Sequence, residues 1–262
     1  MQEFYADLQL AERLDASLLI TGASDAETED IARLVHGRSQ RQDAPFVTIH
    51  CGDVSDAQFE SELLGDKHRS LYGAMAENTG RLHQASGGSL VLVDVGEIGR
   101  PMQEALLRFL TTGAFHYPER PSRVVDVRII ATTSRPLFER VVAGNFRDDL
   151  YYRLNVIHIS IPPLRERRED IPSLTSEILR DLSQRQGTIA PRIAPAAMTL
   201  LQAYDWPGNM RELRDVLTTL HLSAHSGTIE PDELPPAIAS RSQSRVRTSI
   251  KSDGPVVGPP LH

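Results

Sequence analysis

The chain has 262 residues, of which 40% are hydrophobic, and its formal net charge is -7. A chain of this length and composition buries a full hydrophobic core without disulfides or structural metals. The single cysteine excludes a disulfide framework and a cysteine-rich zinc site, and it is typical of a reducing compartment. No stretch approaches the about 20 apolar residues of a membrane span. The acidic balance gives no chain-wide attraction to nucleic acid, so we expect a cytoplasmic protein without a membrane partner.

Five apolar runs bounded by turn residues are typical of strands, and helical patterns lie between most of them. In chain order the runs cover residues 17–21, 46–50, 89–94, 125–132 and 156–161. Strands that alternate with helices predict a parallel sheet covered by helices on both faces. We therefore expect an α/β core over residues 1–164.

The pattern changes after Pro162 and Pro163, where the periodicity becomes helical only. Turn signals interrupt it at Gly187, at Pro195 and at the sequence "WPGN" that begins at Trp206. This predicts a small all-helical domain over residues 165–236. Residues 237–262 are rich in Pro, Ser and Gly with few large apolar side chains, which predicts a disordered tail.

Residues 18–36 read "LLITGASDAETEDIARLVH", which has the layout of a strand, a phosphate loop and a helix. A phosphate loop requires glycines, a lysine and a hydroxyl, whereas this turn offers Asp25, Glu27, Thr28 and Glu29. The charge of the candidate nucleotide site is therefore reversed.

Several stretches in order resemble the AAA+ domain of bacterial enhancer-binding proteins, the NtrC-like activators that remodel sigma-54 RNA polymerase. They are "PFVTIHCGDV", "ESELLGDK", "GRLHQASGGSLVLVDVGEIG", "VDVRIIATTSRPL", "FRDDLYYRLNVIHISIPPLRERREDIPSL" and "YDWPGNMRELRDV". The resemblance covers nearly everything from Met1 to Pro236. It implies a P-loop-type parallel sheet, a helical lid and assembly into a ring, usually a hexamer.

The family's Walker A motif, similar to GESGTGKE, falls on residues 22–29. Gly22, Ser24 and Glu29 match it, but Thr28 stands where the family has its lysine, and Glu29 stands at the Mg²⁺ hydroxyl if the alignment holds. Glycines in such a loop take positive φ angles, which cost other residues about 1–2 kcal/mol each. The resemblance therefore implies a degenerate ATP site.

The Walker B motif of the family ends in Asp-Glu, which correspond here to Val93 and Asp94. The metal carboxylate is thus a valine, and the catalytic glutamate is an aspartate, one methylene shorter. A shift by one residue would bring Asp94 to the metal position but would leave Val95 at the catalytic one. Sensor I, usually an asparagine, falls on Ser134. No protein metal site is expected, and ATP with Mg²⁺ is expected only if the nucleotide site functions.

The family's sigma-54-contacting loop, GAFTGA, corresponds to "RSLYGA", with Leu71, Tyr72 and Gly73 at its tip. Leu71 and Tyr72 replace the contacting Phe and Thr, which puts sigma-54 binding in doubt. The alternatives are that this tip binds another partner or packs as an ordinary surface loop.

Three arginines match the family. Arg147 and Arg153 fall on the arginine fingers that act on a neighbouring subunit's nucleotide, and Arg211 falls on sensor II in the lid. The alternatives are that Arg147 and Arg153 pair within the chain with Asp148, Asp149 or Glu139, and that Arg211 pairs with Asp215 one turn later. His50, His83 and His158 lack metal-ligand spacing and are expected to be structural.

These observations favour a degenerate sigma-54-type AAA+ module, a pseudo-ATPase that regulates transcription through protein contacts. Its expected partners are copies of itself or an intact family member in a ring, and no DNA-binding domain is expected. The alternatives are a working ATP-dependent activator with an unorthodox nucleotide site and a module without a retained role.

Overall fold

The computed structural model describes residues 2–55, 62–63, 67–69, 75–77, 80–117, 120–223 and 227–239. The chain divides into two compact units, Met1–Ile161 and Pro162–His262. The loop tip at residues 71–73 and the tail beyond residue 239 lie outside the described residues.

A five-stranded parallel sheet forms the centre of the first unit, with the strand order β2-β5-β8-β1-β9. Its strands are β1 (Leu18–Thr21), β2 (Phe46–His50), β5 (Ser89–Val93), β8 (Arg128–Thr133) and β9 (Ile157–Ser160). These strands coincide with the five apolar runs, so the predicted sheet is confirmed. β8 begins at Arg128, later than the predicted start at residue 125, because residues 125–127 connect it to a neighbouring ribbon.

Two antiparallel ribbons accompany the sheet and were not predicted. One pairs β3 (Lys67–Arg69) with β4 (Met75–Glu77), and the other pairs β6 (Ala114–Tyr117) with β7 (Arg120–Val124). Their sequences, KHR, MAE, AFHY and RPSRV, contain no apolar run of the kind that marks the strands of the sheet.

Helices cover both faces of the sheet, as an α/β layout requires. They are α1 (Gln2–Arg13), α2 (Asp25–Gly37), α3 (Arg81–Gln84), α4 (Arg100–Thr112), α5 (Leu137–Val142) and α6 (Asp148–Leu154). Leu18 and Ile20 of β1 pack in a core with residues of α1 and α2. Leu19 between them belongs to a second core with residues of α4, α5 and α6. The alternation of side chains along β1 thus separates the two layers.

The strand register aligns the ends of three neighbouring strands. Thr21 at the end of β1 lies beside Thr133 of β8 and Ser160 of β9. On the next pair of strands, His50 lies beside Val93. The loops that follow these residues leave the same edge of the sheet, where ligands bind in open α/β folds.

The second unit is the helical lid, built from α7 (Ile171–Gln186), α8 (Pro195–Ala203) and α9 (Asn209–Ser223). The predicted interruptions have identifiable roles. Gly187 ends α7 with a φ of 65°, and Pro195 occupies the first turn of α8. Trp206 is fully buried and donates a hydrogen bond from Nε1 to the carbonyl of Leu201 at 2.8 Å.

The lid also differs from its prediction in detail. It contains one short parallel strand pair, β10 (Arg192–Ile193) with β11 (Thr228–Ile229), in a region predicted to be helical only. Its core includes Leu164 and Ile238, which lie on the far sides of the predicted domain bounds. Ile238 is 3% exposed, so the packed chain continues into the segment that was predicted as tail.

Candidate functional site

The loop between β1 and α2 is only three residues long. β1 ends at Thr21, Ser24 is the N-cap residue, and α2 begins at Asp25. The amide of Thr28 donates to the carbonyl of Ser24 at 3.1 Å, which is the first helical hydrogen bond. Positions that would form the second half of a phosphate loop are therefore part of the first turn of α2. A backbone committed to a helical turn does not wrap a phosphate chain as a glycine-rich loop does.

Thr28, at the position of the family's lysine, is fully buried. A Cβ atom added to Gly22 would lie only 2.9 Å from Thr28 Cγ2. The amide of Gly22 donates to the carbonyl of Thr133 at 3.2 Å, which fixes the loop against β8. Gly22 is therefore required by close packing against Thr28. The side chain of Thr28, at the position of the family's lysine, therefore occupies the space next to Gly22.

Glu29 points toward its own helix and the neighbouring strand. Its Oε1 accepts a hydrogen bond from Arg33 Nη2 at 3.1 Å, and its Oε2 lies 3.9 Å from His50 Nε2. The Arg33 pair joins residues one turn apart on α2. Glu29 is thus engaged in local ion pairing. Acidic residues in the first turn of α2 also complement the positive helix end that would otherwise attract a phosphate.

Asp94 and Ser134 are brought together at the ends of β5 and β8. The carboxylate Oδ1 of Asp94 accepts hydrogen bonds from the Ser134 amide at 3.2 Å and from its hydroxyl at 3.3 Å. Asp94 has a φ of 56° and a ψ of 51°, a left-handed conformation that Asp tolerates better than most residues. Val93 beside it is 2% exposed and ends β5. The predicted Walker B and sensor I positions therefore contact each other directly.

Cys51 follows β2 at this same edge and is 3% exposed. Its amide donates to the carbonyl of Val93 at 2.9 Å. Burial raises the pKa of its thiol, and the nearby charge of Asp94 acts in the same direction. A thiol held protonated in this way is a poor nucleophile.

Arg147 is held within its own chain. Its Nε and Nη2 donate to the two carboxylate oxygens of Asp149 at 3.0 and 2.8 Å, and Nη1 lies 3.5 Å from Glu104. The hydrogen bond with Asp149 raises the pKa of Arg147, and the same contact lowers the pKa of Asp149. Of the partners considered from the sequence, Asp149 is the one that Arg147 contacts. The contact with Glu104 of α4 was not expected.

Arg153 presents a different environment on the same helix, α6. Its side chain is exposed, and its Nη1 donates to the carbonyl of Leu110 at 3.4 Å. Within the part of the chain that the structure describes, Arg153 forms no ion pair with a carboxylate. The guanidinium of Arg153 is therefore less engaged by contacts within the chain than the guanidinium of Arg147.

Arg211, at the sensor II position, lies in the first turn of α9 and is exposed. The expected ion pair with Asp215 is absent, since Arg211 has no carboxylate partner among residues 162–223 and 227–239. The side chain at position 212 is engaged instead, because Glu212 accepts hydrogen bonds from the Gly208 amide and the Tyr204 hydroxyl.

Sequence reasoning missed an open cavity of about 330 Å³ beside Gly22 and Ser134. It lies at the ends of β1, β8 and β9, and its walls include Phe138, Tyr151 and His158. The exposure pattern of β9 alternates between buried isoleucines and exposed polar residues. That alternation in "IHIS" was the available signal that His158 faces away from the core beneath α1.

The described residues hold no cluster of three or more His, Cys, Asp or Glu side chains that could bind a metal ion. Over the same residues, no helix is both long and apolar enough to cross a membrane.

The parallel sheet, the β1–α2 connection and the helical lid define an AAA+ protein, and comparisons with known proteins agree. The profile of the sigma-54 interaction domain matches residues 1–160, and the profile of the AAA+ ATPase lid domain matches residues 165–250. The chain belongs to the sigma-54 interaction domain family of transcription activators.

Individual relatives support the same assignment. The transcriptional regulatory protein ZraR of Salmonella typhimurium is 41% identical over 241 residues, which are 92% of this chain and 55% of ZraR. The sigma54-dependent transcriptional regulator SfnR of Pseudomonas fluorescens is 38% identical over 234 residues, 89% of this chain and 64% of SfnR. The chain thus spans between about half and two thirds of the length of these relatives.

Solved structures agree on the fold. NtrX from Brucella abortus in complex with ADP superimposes with a TM-score of 0.81 at 32% identity, covering 91% of this chain and 54% of NtrX. The complex of NtrX with ATP gives a TM-score of 0.80 over 95% of this chain and 59% of NtrX. The weakened sigma-54 contact expected from Leu71 and Tyr72, which lie outside the described residues, stays a prediction.

Proposed function

We propose that this chain is a pseudo-ATPase of the sigma-54 interaction family, which regulates transcription through contacts with other proteins. The observation that carries this proposal is the buried side chain of Thr28, packed against Gly22 where a phosphate-binding lysine would stand. A lysine at this position of a phosphate loop reaches the β- and γ-phosphates. Threonine supplies neither the charge nor the reach.

The electrostatic cost of this loop acts in the same direction. A carboxylate about 6 Å from a phosphate charge adds roughly 3 kcal/mol of repulsion at an effective dielectric constant of 20. That repulsion corresponds to about a hundredfold in affinity. Asp25 and Glu27 stand in the first turn of α2, and Glu29 follows directly.

The residues present therefore do not fit ATP with Mg²⁺ as the family binds it. Val93 offers no oxygen to a metal ion, and the carboxylate of Asp94 already accepts two hydrogen bonds from Ser134. The rival function is a working ATP-dependent activator. It is favoured by the 32% identity to NtrX of Brucella abortus, which has been solved in complex with ATP.

Titration of the full chain with ATP and Mg²⁺ in a calorimeter separates these two functions. We expect no saturable binding in the micromolar range. The matched variant replaces residues 22–29 with GESGTGKE, and Val93 and Asp94 with Asp and Glu, which restores the family's Walker A and Walker B residues. Micromolar binding by this variant alone would locate the loss in these two motifs. Micromolar binding and turnover by the unaltered chain would refute the proposal.

We further propose that the partner is a second AAA+ chain, either another copy or an intact family member in a mixed ring. Arg153 supports this proposal because it is exposed and lacks a carboxylate partner among the described residues. A subunit that does not hydrolyse ATP still completes a neighbour's site when it supplies an arginine in trans. It restrains the ring instead if its own broken site interrupts the cycle of hydrolysis.

A further inference from the structure

The open cavity beside β1 and β9, here called the β1–β9 cavity, lies on the sheet face that carries α5 and α6. Its volume of about 330 Å³ is at the lower end of the range for small-molecule sites. Leu19 and Leu137 line it as fully or nearly buried aliphatic residues. A cavity of this size accommodates a molecule of one or two rings.

Two aromatic rings form one wall of the β1–β9 cavity. The ring centroids of Phe138 on α5 and Tyr151 on α6 are 5.7 Å apart, and the planes are tilted by 55°. Phe138 is 52% exposed, so much of its ring faces solvent. An exposed aromatic ring at the edge of a concave apolar site gains contact area from a flat aromatic ligand.

The opposite side of the cavity has a single polar pair. Thr21 Oγ1 and His158 Nε2 are 2.9 Å apart across β1 and β9. The other ring nitrogen of His158 has no hydrogen-bond partner in the described parts of the chain. Burial lowers the pKa of His158, and Asp7 opposes this effect. The imidazole is therefore neutral near pH 7, and its second nitrogen presents either a donor or an acceptor, according to the tautomer.

The remaining polar groups around the cavity are satisfied within the protein. Ser134 donates to Asp94, the Thr133 hydroxyl donates to the carbonyl of Arg135, and the Arg135 guanidinium lies 3.4 Å from Glu97. Glu97 also pairs with Arg140 Nη1 at 3.0 Å, but the Arg135 side chain is 68% exposed, so solvent screens its charge, and no carboxylate lines the cavity. The complementary ligand is therefore uncharged.

We propose that the β1–β9 cavity binds an uncharged heteroaromatic molecule of one or two rings, which stacks on Phe138 and Tyr151 and hydrogen-bonds to His158. The walls of the cavity belong to β1, β9, α5 and α6, so an occupant joins the sheet edge to the helix that carries Arg153. Binding does not involve the buried Thr28. Gly22 and Ser134, at the Walker A and sensor I positions, also line the cavity, so binding of the probe is measured in the absence of nucleotide.

The test uses indole as the probe and follows saturation-transfer NMR on the full chain. We expect saturable binding that Phe138→Ala and Tyr151→Ala each weaken by about fivefold, in line with the strength of aromatic pairs. Val142→Ala is the control. Val142 on α5 is 75% exposed and does not line the cavity. Its removal is expected to change the affinity by less than about twofold.

A second comparison tests the hydrogen bond. Methylation of the indole nitrogen removes the donor, so 1-methylindole is expected to bind about fivefold more weakly than indole, as the loss of one hydrogen bond predicts. In His158→Leu this difference should disappear. Phe138→Leu replaces Phe138→Ala if the smaller side chain disturbs folding, because the site is half exposed and leucine keeps most of the packing.

Several outcomes would overturn the proposal. They are the absence of saturable indole binding up to its solubility limit, an equal loss in Val142→Ala, and a preference for indole over 1-methylindole that persists in His158→Leu. None of these outcomes depends on ATP affinity, so the proposal fails or stands separately from the pseudo-ATPase function.

Discussion

The loop before α2 and the helix α6 would serve opposite sides of a subunit boundary, and their side chains have different environments. At the loop, Thr28 is buried, Glu29 is paired with Arg33, and Asp94 is paired with Ser134. On α6, Arg153 is exposed and has a single long hydrogen bond to a carbonyl. The positions that would bind this subunit's own nucleotide are filled by intrachain contacts, whereas a position that would serve a neighbour stays accessible.

Arg147 differs from Arg153 because its guanidinium is not accessible in the same way. It begins α6 as the N-cap residue, yet its guanidinium is engaged by Asp149 and Glu104. Two arginines only six positions apart therefore differ in availability. If only one of them acts in trans, the structure favours Arg153.

The largest expected effect is that of replacing Arg153, which tests whether this residue acts on a neighbouring subunit. When the chain is mixed with an intact family ATPase from the same cell, Arg153→Ala should remove most of any stimulation of phosphate release. Arginine fingers contribute about 10³–10⁵ in rate in well-studied phosphoryl-transfer systems. Arg147→Ala should have a smaller effect, because Arg147 must first leave Asp149. Phosphate release is measured over a range of mixing ratios.

Arg38→Ala is the control for this experiment, since Arg38 is an exposed arginine of the same unit that pairs with Glu12. Unchanged phosphate release at every ratio, together with separate elution on size-exclusion chromatography, would eliminate the mixed ring. A change that persists in both arginine variants would retain co-assembly but exclude the arginines from its mechanism.

The second prediction concerns the buried residue of the loop. Thr28→Lys should destabilise the fold by about 1–3 kcal/mol without restoring ATP binding, because the longer side chain overpacks a fully buried space against Gly22. Urea denaturation measures the change. Asp30→Lys, at an exposed position of α2, should stay within about 0.5 kcal/mol of the parent. Gain of ATP binding at unchanged stability would show that the loop opens readily.

A smaller effect is expected at the contact between Asp94 and Ser134. Ser134→Ala removes one hydrogen bond from the carboxylate while the backbone amide keeps another. The expected loss of unfolding free energy is about 1 kcal/mol. Ser160→Ala on the exposed face of β9 is the control and should be near neutral. Equal values for the two variants in chemical denaturation would argue that the Asp94 contact contributes nothing to stability.

The smallest expected effect is a pH dependence of the free energy of unfolding. It tests whether the contacts of His36 anchor α2 in the absence of nucleotide. His36 near its C-terminal end shares a hydrogen bond with Ser89 Oγ at 2.9 Å and contacts the carbonyl of Ala44 at 3.1 Å. Burial lowers the pKa of His36, and the charges of Arg128, Arg33 and Arg41 act in the same direction. The unfolded chain therefore binds a proton more readily than the folded one.

Because the folded-state pKa is depressed, this stabilisation is present above the ordinary histidine pKa of about 6.5 and declines as the pH falls below it. His158 has a lowered pKa as well and adds to the same trend. His36 contributes at most about 1.4 kcal/mol per pH unit, and the exposed His158 contributes less because solvent screens its charge. Thermal unfolding between neutral pH and pH 5 measures the slope, which should be shallower in His36→Gln. An identical slope in that variant would refute the role of His36.

The sequence by itself determined the fold class and the family. The apolar runs at residues 46–50 and 89–94 are long enough, and the motifs around Arg147 and Trp206 specific enough, to predict an α/β core with a helical lid. The charge reversal over residues 22–29 was also visible, because it depends only on which residues are present. Short elements such as β10 and β11 were not visible, since two residues do not establish a period.

Only the tertiary structure decided which partner each charged or buried side chain finds. Arg147 meets Glu104 from a different helix, Thr28 turns inward onto Gly22, and Arg211 lacks the pair with Asp215 that its spacing allowed. In the β1–β9 cavity, Thr21 and His158 likewise contact each other although they are 137 positions apart in the sequence. Periodicity fixes which face of a strand or helix a residue occupies. The contact it makes depends on rotamers and on neighbours brought in by distant parts of the chain.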